Sequence, residues 1–505
     1  MMTDPASPTA PSGPSSDRAR LAEIGAILAR HGLGWLAARF LPGSGARGDD
    51  EAQPDLPRRV RLALEDLGPT WIKLGQILAT RADLLPPPWI AELEQLQSAA
   101  PTLPFTDLRD EVERALGAGV AECFASFDEI PLAAASMAQV HRATLPDGRP
   151  VAVKIRRPGI APRMLADLRL IAGAAALAER THSEARRLRA GAMARELADN
   201  LRQELDFTVE GRNADRMRAD FAGNRRVIVP EIHWPLSSET LLVMDYIDGI
   251  APLDPMILRA AGIDPAKIAA LGADVVLDMV LINGRFHGDP HPGNLRCLPG
   301  DRIALLDLGL MGQVSPRRRE EFIRFTQALI ASDAEAMGAV LATWDESAGA
   351  PRTAIDAAAA KLIARHGGTA LDLSAMVADF LPLLRETGMI MPSDLLLIFK
   401  ALVTIDGVLA RIEPGFDLAA ALRRSTLRLV AARLAPDHWQ PIAKALALEL
   451  AHLGDDAPRL VRALTAKLTE PAAVTDWAAV VRPITRAVWG AGVLVAAAVV
   501  VGWFV

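Results

Sequence analysis

Three side chains suited to phosphate chemistry stand at fixed intervals past the middle of the chain. Asp289 lies within His287-Gly288-Asp289-Pro290-His291-Pro292-Gly293-Asn294, Asn294 follows it by five residues, and Asp307-Leu308-Gly309 begins thirteen residues later. Phosphoryl transfer needs a carboxylate beside the incoming nucleophile and hard oxygen ligands that hold Mg2+ on the phosphates of ATP. Asp289 fits the first role; Asn294 and Asp307 fit the second. His-Gly-Asp-Pro by itself reads as a turn, but a turn does not require the rest of the spacing. Residues 301–306 end in an apolar run, which predicts a strand delivering Asp307 to a metal site. His287 and His291, four apart, could hold zinc on a helix. Pro290 and Pro292 rule against that helix, so the histidines are expected to shape the loop by bonding to its backbone.

A second group of residues lies upstream, in the order a kinase site requires. Val151-Ala152-Val153-Lys154 matches the strand whose lysine reaches the α- and β-phosphates while an acid on the next helix orients it. Ala133, Ala134, Ala135, Ser136, Met137, Ala138, Gln139 and Val140 occupy the place of a glycine-rich phosphate loop, and contain no glycine. Such a loop should be stiffer, because Ala reaches close-approach conformations less readily than Gly. Met244, Asp245, Tyr246 and Ile247 follow an apolar run and are expected to form a hinge whose backbone reads adenine.

The elements that must position these groups are largely helical. Half of the 505 residues are apolar and 5% are aromatic, with Ala and Leu abundant. The charge of -6 and the dispersed arginines give no case for nucleic-acid binding. Two cysteines, Cys123 and Cys297, make no disulfide framework and fit a reducing compartment, with Cys297 a small buried thiol. Residues 1–18 read as a disordered arm, 19–125 as a helical extension, 126–247 as a β-rich lobe with its helix, and 248–430 as a helical lobe around the catalytic loop. Residues 431–486 look amphipathic. Residues 487–505 carry no charge, close to the roughly 20 residues that cross a bilayer. Arg482 and Arg486 precede this candidate span and Trp489 and Trp503 lie near its ends, which orients the bulk of the chain to the cytoplasmic side.

Together these features resemble the UbiB/AarF family of atypical kinase-like ATPases, associated with ubiquinone biosynthesis, over roughly residues 60–420. Lys73-Leu74-Gly75-Gln76 matches its KxGQ signature, residues 133–140 its Ala-rich loop, and Glu204-Leu205-Asp206 through Glu210 and Asn213 its ExD…E…N helix. The ordered set, closed by the Asp289 loop and the Asp307 triplet, is far more specific than any one motif. The resemblance implies an α+β, protein-kinase-like bilobal fold with the KxGQ extension at its N-terminus and a C-terminal transmembrane helix. It places Lys73 and Gln76 facing Glu204 and Asp206, with the extension over the active site. It also pairs Glu210 with Lys154, although Glu204, six residues earlier on one predicted helix, competes for that lysine. Ala138 stands where the family loop usually has Gly, and Gly211 where its helix usually has Ala; the latter weakens a helix by about 1 kcal/mol.

The function implied is a membrane-anchored ATPase, single-pass in the cell inner membrane, using ATP and Mg2+. It would couple hydrolysis to the handling of polyprenyl quinone precursor lipids, alongside quinone-biosynthesis enzymes. Two alternatives stay open: a phosphotransferase acting on a protein or small hydroxyl compound, and a nucleotide-sensing scaffold without turnover.

Overall fold

The computed structural model describes residues 14–34, 55–79, 85–96 and 101–425, apart from 188, 347–348, 369–372, 419 and 423. These belong to one unit, Met1–Leu429. The 431–486 region and the candidate span at 487–505 lie outside the described residues, and among the described residues no helix is long and apolar enough to cross a membrane. Helix α1 (Pro14–Arg30) opens within the stretch expected to be a disordered arm, with Asp17 in its first turn, where an acid complements the helix dipole.

The N-terminal lobe is built on an antiparallel sheet in the order β1 (Ser126–Ala134), β2 (Ala138–Thr144), β3 (Pro150–Arg156) and β5 (Leu241–Asp245); β4 (Val227–Ile228) joins a different sheet. Strand parity decides what faces where. Val151, Val153 and Ile155 are fully buried, and they pack with Leu241, Val243 and the apolar face of a linker helix carrying Phe105, Leu108 and Val112. Ala152 and Lys154 therefore point to the opposite face, toward the cleft between the lobes.

The extension comprises α1, α2 (Leu56–Leu67), α3 (Pro69–Ala79) and α4 (Pro87–Leu93), after which α5 (Phe105–Leu116) is that linker helix under the sheet. Helix α3 is apolar on most sides and packs twice. Trp71, Leu74 and Ile77 lie against Met164 and Leu168 of α6 (Ile160–Thr181) and Leu197 and Leu201 of α7 (Ala190–Leu205), while Ile72 packs with Leu64, Leu93 and Leu96. Gly75 permits the second contact, since a Cβ there would sit 2.9 Å from Leu64 Cδ1 and closer still to Leu96 Cδ1. Helix α1 is fastened to α6 by Asp17–Arg169, Arg20–Asp167 and Glu23–Arg163 pairs. Arg20 and Asp167 are buried, and Arg20 Nη2 also donates to the Leu67 carbonyl at 2.7 Å.

The stretch predicted as one helix from Glu204 to Asn213 is two. Helix α7 ends at Leu205, and Asp206 (φ −107°, ψ 97°) caps α8 (Phe207–Asp220) by accepting from the Thr208 backbone N–H at 2.9 Å. It also accepts from Thr208 Oγ1 at 2.7 Å. Asp and Thr favour such capping over helix interiors, which is why the pattern breaks there.

In the C-terminal lobe α9 (Pro265–Asp278) leads through a π-turn (Met279–Asn283) and left-handed Gly284 into β6 (Arg285–His287). Strands β7 (Leu295–Leu298) and β8 (Arg302–Leu305) follow, with β8 parallel to β4 and antiparallel to β7; β9 (Met311–Gln313) pairs with β6. Helices α10 (Pro316–Ala331), α11 (Ala334–Trp344), α12 (Arg352–His366), α13 (Leu373–Thr387) and α14 (Ser393–Ile412) complete the lobe. Phe325 stacks on Trp344 at 5.0 Å and packs against Phe380 and Phe399, joining α10 and α11 to α13 and α14. Arg385 of α13 donates to the Leu85 carbonyl at 2.8 Å, which links this lobe to the extension.

Candidate active site

The β6–β9 pairing brings the two metal-ligand segments together. His287 faces Met311 across the pair and Gly288 N–H donates to the Leu310 carbonyl at 2.9 Å, so the Asp289 loop and the Asp307 triplet share a wall. Phe286 fits there because Gly312 has no side chain; a Cβ would collide with its ring. Within the loop, Asp289 N–H donates to His287 Nδ1 and Gly293 N–H to His291 Nδ1, both at 3.1 Å. The histidines thus hold the loop's backbone, as their spacing with proline suggested. Asn294 Nδ2 donates to the Asp289 carbonyl at 3.1 Å, and Asp307 Oδ1 accepts from Gly309 N–H at 3.0 Å.

Opposite this wall the break at Asp206 sorts the two glutamates. Lys154 Nζ pairs with Glu210 at 2.7 Å and lies 3.7 Å from Asp307, whereas Lys73 Nζ pairs with Glu204 at 2.9 Å. Glu210 and Glu204 sit on different helices, and each takes its own lysine. Asn213, one turn past Glu210, donates to the Leu308 carbonyl at 3.1 Å, so α8 holds both Lys154 and the Asp307 triplet. The motifs alone give Asn213 no role; its spacing from Glu210 on one helix face is the available signal.

Lys73, Ala135, Ser136, Met137, Ala138, Lys154, Glu204, Asp206, Glu210, Asp289, Asn294 and Asp307 line one cavity of about 230 Å3, which His287, Gly309 and Leu310 help to close. Several expected groups lie elsewhere. Gln76 donates to the Leu96 carbonyl at 3.0 Å, inside the extension. Ala133, Ala134, Gln139 and Val140 are not among the lining residues, and Gln139 is fully buried behind the loop. Strand parity accounts for Gln139, which alternates with Ala138 on β2 and so faces away from the cavity. Met244, Asp245, Tyr246 and Ile247 do not line the cavity either; Asp245 N–H donates to the Glu231 carbonyl and Tyr246 N–H to the Pro150 carbonyl, each at 3.0 Å. Among the described residues, non-glycine positive φ occurs at Arg189, Asp301 and Ser332, so the Ala-rich loop turns without left-handed backbone and Ala138 fits it unstrained.

The electrostatics favour a ligand that brings cations with it. Burial pushes the Glu210 carboxyl up to about 7 against the pull of Lys154, with the Asp307 charge adding to the rise. Lys154 holds Asp307 below the usual carboxylate range. Burial opposes the Lys154 ammonium, yet Asp307 and Glu210 keep its pKa above the ordinary value. Burial lowers His287, which suits a neutral ring accepting at Nδ1. Two lysines face five carboxylates in the cavity, so a triphosphate fits only with compensating cations. Among the described residues no three His, Cys, Asp or Glu groups form a metal-binding cluster. Mg2+ is commonly bound by one or two carboxylates plus phosphate oxygens. Asn294 and Asp307 present the oxygen donors such binding needs. Cys297 is buried, its thiol pushed up to about 12 by burial, and takes no part.

Known proteins resemble this chain over most of its length. A family model of the ABC1 atypical kinase-like domain matches residues 95–341, and one of the UbiB helical domain matches residues 369–417. A "Probable protein kinase UbiB" of Xanthomonas campestris pv. campestris (strain B100) is 33% identical over 475 residues, covering 88% of this chain and 84% of that protein. One from Xylella fastidiosa (strain 9a5c) is 31% identical over 473 residues, covering 88% and 85%. The solved complex of Rv3197 with erythromycin from Mycobacterium tuberculosis aligns at a TM-score of 0.50 and 21% identity, over 73% of this chain and 94% of that one. That likeness concerns the fold alone.

Proposed function

The chain belongs to the UbiB family of ABC1 atypical kinase-like proteins, and from that premise we propose that it is a membrane-anchored ATPase supporting ubiquinone biosynthesis. The observation that carries the reading is the Lys73–Glu204 pair inside the cavity, which sets the extension's own lysine where an incoming substrate would approach. Residues 310–315 alone separate the Asp307 triplet from α10, which leaves little chain for a peptide-docking activation segment of the kind protein kinases carry between these landmarks. Both features favour water over a protein hydroxyl as acceptor.

In this reading Lys154, fixed by Glu210, holds the α- and β-phosphates, and Asp289 orients the attacking water and takes up its proton. Asn294 and Asp307 hold Mg2+, which when bound neutralises charge on the phosphates. The Ala135–Ala138 turn covers the phosphates, and neutral His287 keeps the Asp289 backbone in place. The apolar run at 487–505 anchors the chain in the inner membrane with its bulk in the cytoplasm, where ATP turnover assists polyprenyl quinone precursors out of the bilayer.

The test is release of phosphate from ATP by the full-length protein in lipid nanodiscs. Asp289→Asn should lower turnover by about 10²–10⁴-fold, the usual contribution of a positioned acid or base, while ATP binding persists. Cells lacking the protein should lose quinone and regain it with wild type but not with Asp307→Asn. Label passing from ATP to an added hydroxyl compound would favour a phosphotransferase. Full rescue by Asp307→Asn would favour a scaffold.

A further inference from the structure

Two side chains behind the cavity join its Ala-rich turn to the linker by which the extension enters the N-terminal lobe. Arg157 donates from Nε to the Ala135 carbonyl at 2.8 Å and from Nη2 to the Pro101 carbonyl at 2.7 Å. Its own N–H donates to the Met137 carbonyl at 2.9 Å, so one residue touches both ends of the turn. Gln139 grips the same linker two residues on. Its Oε1 accepts from Leu103 N–H at 2.9 Å and its Nε2 donates to the Leu103 carbonyl at 3.0 Å.

Gln139 is itself fixed. Its second Nε2 hydrogen meets His141 Nε2 at 3.0 Å, and His141 Nδ1 donates to the Asp128 carbonyl at 2.8 Å. Both side chains are fully buried, so every polar group of the amide is engaged and an alternative orientation would leave buried donors or acceptors unmatched. In register, Gln139 is the partner of Ala134 across the hairpin, at the base of the turn that lines the cavity.

We propose that Arg157 and Gln139 are positioning residues that clamp the Ala135–Ala138 turn to the Pro101–Leu103 linker, so that the seating of the extension sets the grip of the site on its nucleotide. The proposal rests on the cavity being a nucleotide site. A glycine-rich loop adapts to phosphates by its own flexibility. This turn has no glycine, and its shape is fixed from behind by the linker. Displacing the extension would pull on the linker and loosen the turn, and a nucleotide that tightens the turn would resist that displacement.

The test compares full-length wild type with Arg157→Ala, Arg157→Lys and Gln139→Met. Binding of a fluorescent non-hydrolysable ATP analogue with Mg2+ is measured alongside amide hydrogen exchange over residues 101–103 and 135–138 without nucleotide. In Arg157→Ala both side-chain bonds are lost, so the exchange of both segments should rise together, and analogue affinity should fall about tenfold, the worth of the charge-assisted hydrogen bond that holds the turn at Ala135. KM for ATP should rise by a similar factor while kcat stays within about twofold, a split that general loss of stability does not produce. Arg157→Lys reaches one carbonyl but not both and should recover part of the affinity. Gln139→Met, if its thermal unfolding stays cooperative, should reproduce the linked rise in exchange. Unchanged exchange at 135–138 in Arg157→Ala overturns the clamp, as does wild-type affinity in that variant. Failure of wild type to bind the analogue, with the exchange effect intact, would instead reject the nucleotide reading and the functional half of the proposal with it.

Discussion

Replacing Lys154 with Met should destabilise the nucleotide-free chain more at pH 8 than at pH 6, and the difference follows from the site. The Lys154 and Glu210 side chains are 16% and 7% exposed at 2.7 Å separation, and Asp307 lies 3.7 Å from the same ammonium. Removing one member of a buried pair costs about 3–5 kcal/mol when its partner is left charged. Met preserves the aliphatic stem, so the loss is of charge rather than packing. Glu210 can relieve that loss by keeping a proton. In wild type burial already pushes its carboxyl from 4.5 up to about 7, and without the ammonium the folded value moves higher. A raised carboxyl binds more protons folded than unfolded, so stability falls as pH rises from the unfolded to the folded pKa, by about 1.4 kcal/mol per unit. In wild type this decline ends near pH 7; in Lys154→Met it continues upward. The stability gap between the two should therefore widen by about 1.4 kcal/mol between pH 7 and pH 8. Urea unfolding at pH 6, 7 and 8 measures it. A gap that stays constant or narrows refutes Glu210 as the buried partner of the ammonium.

Lys73→Ala removes a half-buried bond worth about 1 kcal/mol and should raise the opened population of the extension roughly fivefold, read as faster amide exchange over residues 69–79; unchanged exchange would mean that Glu204 does not hold the extension. Gly75→Ala forces a methyl against Leu64 and Leu96 and should destabilise the extension by about 1–3 kcal/mol, and thermal unfolding that matches wild type would contradict the packing described. At Gly211 a Cβ would lie 2.8 Å from Trp234 Cη2, so Gly211→Ala should stabilise a Trp234→Ala background by about 1 kcal/mol through helix propensity yet yield none of that gain in wild type. Equal effects in both backgrounds would show that Trp234 is not the obstacle.

Several of these positions illustrate how far the motifs reach. The order of Lys154, Asp289, Asn294 and Asp307 was legible because phosphate chemistry restricts residue type and spacing, and the structure brings all four to one cavity. The two histidines of the loop were legible for a local reason, since proline forbids the helix that zinc would need and leaves backbone bonding. The partners of Lys73 and Lys154 were not. Motif spacing puts Glu204 and Glu210 on one helix, and only the capping of Asp206 onto Thr208 turns them to different lysines. Gln139 shows the opposite failure, because its place in the Ala-rich motif suggests a ligand contact while the pleat of β2 turns it inward to Leu103. Gly211, a departure by sequence, is accounted for by the Trp234 ring lying over it, a contact between residues far apart along the chain.

By itself, then, the sequence determined which carboxylates, which amide and which lysines stand at the spacing phosphate chemistry asks for, and a kinase-like fold that mixes helix and sheet. Those features rest on local rules, on residue type, strand and helix period and the conformational limits of proline and glycine. The tertiary structure alone decided which acid neutralises which lysine, which face of the Ala-rich hairpin meets the cavity, and how the extension is fastened across both lobes. Such pairings depend on where separate elements pack, and packing is settled by the summed burial of many side chains that no single motif records.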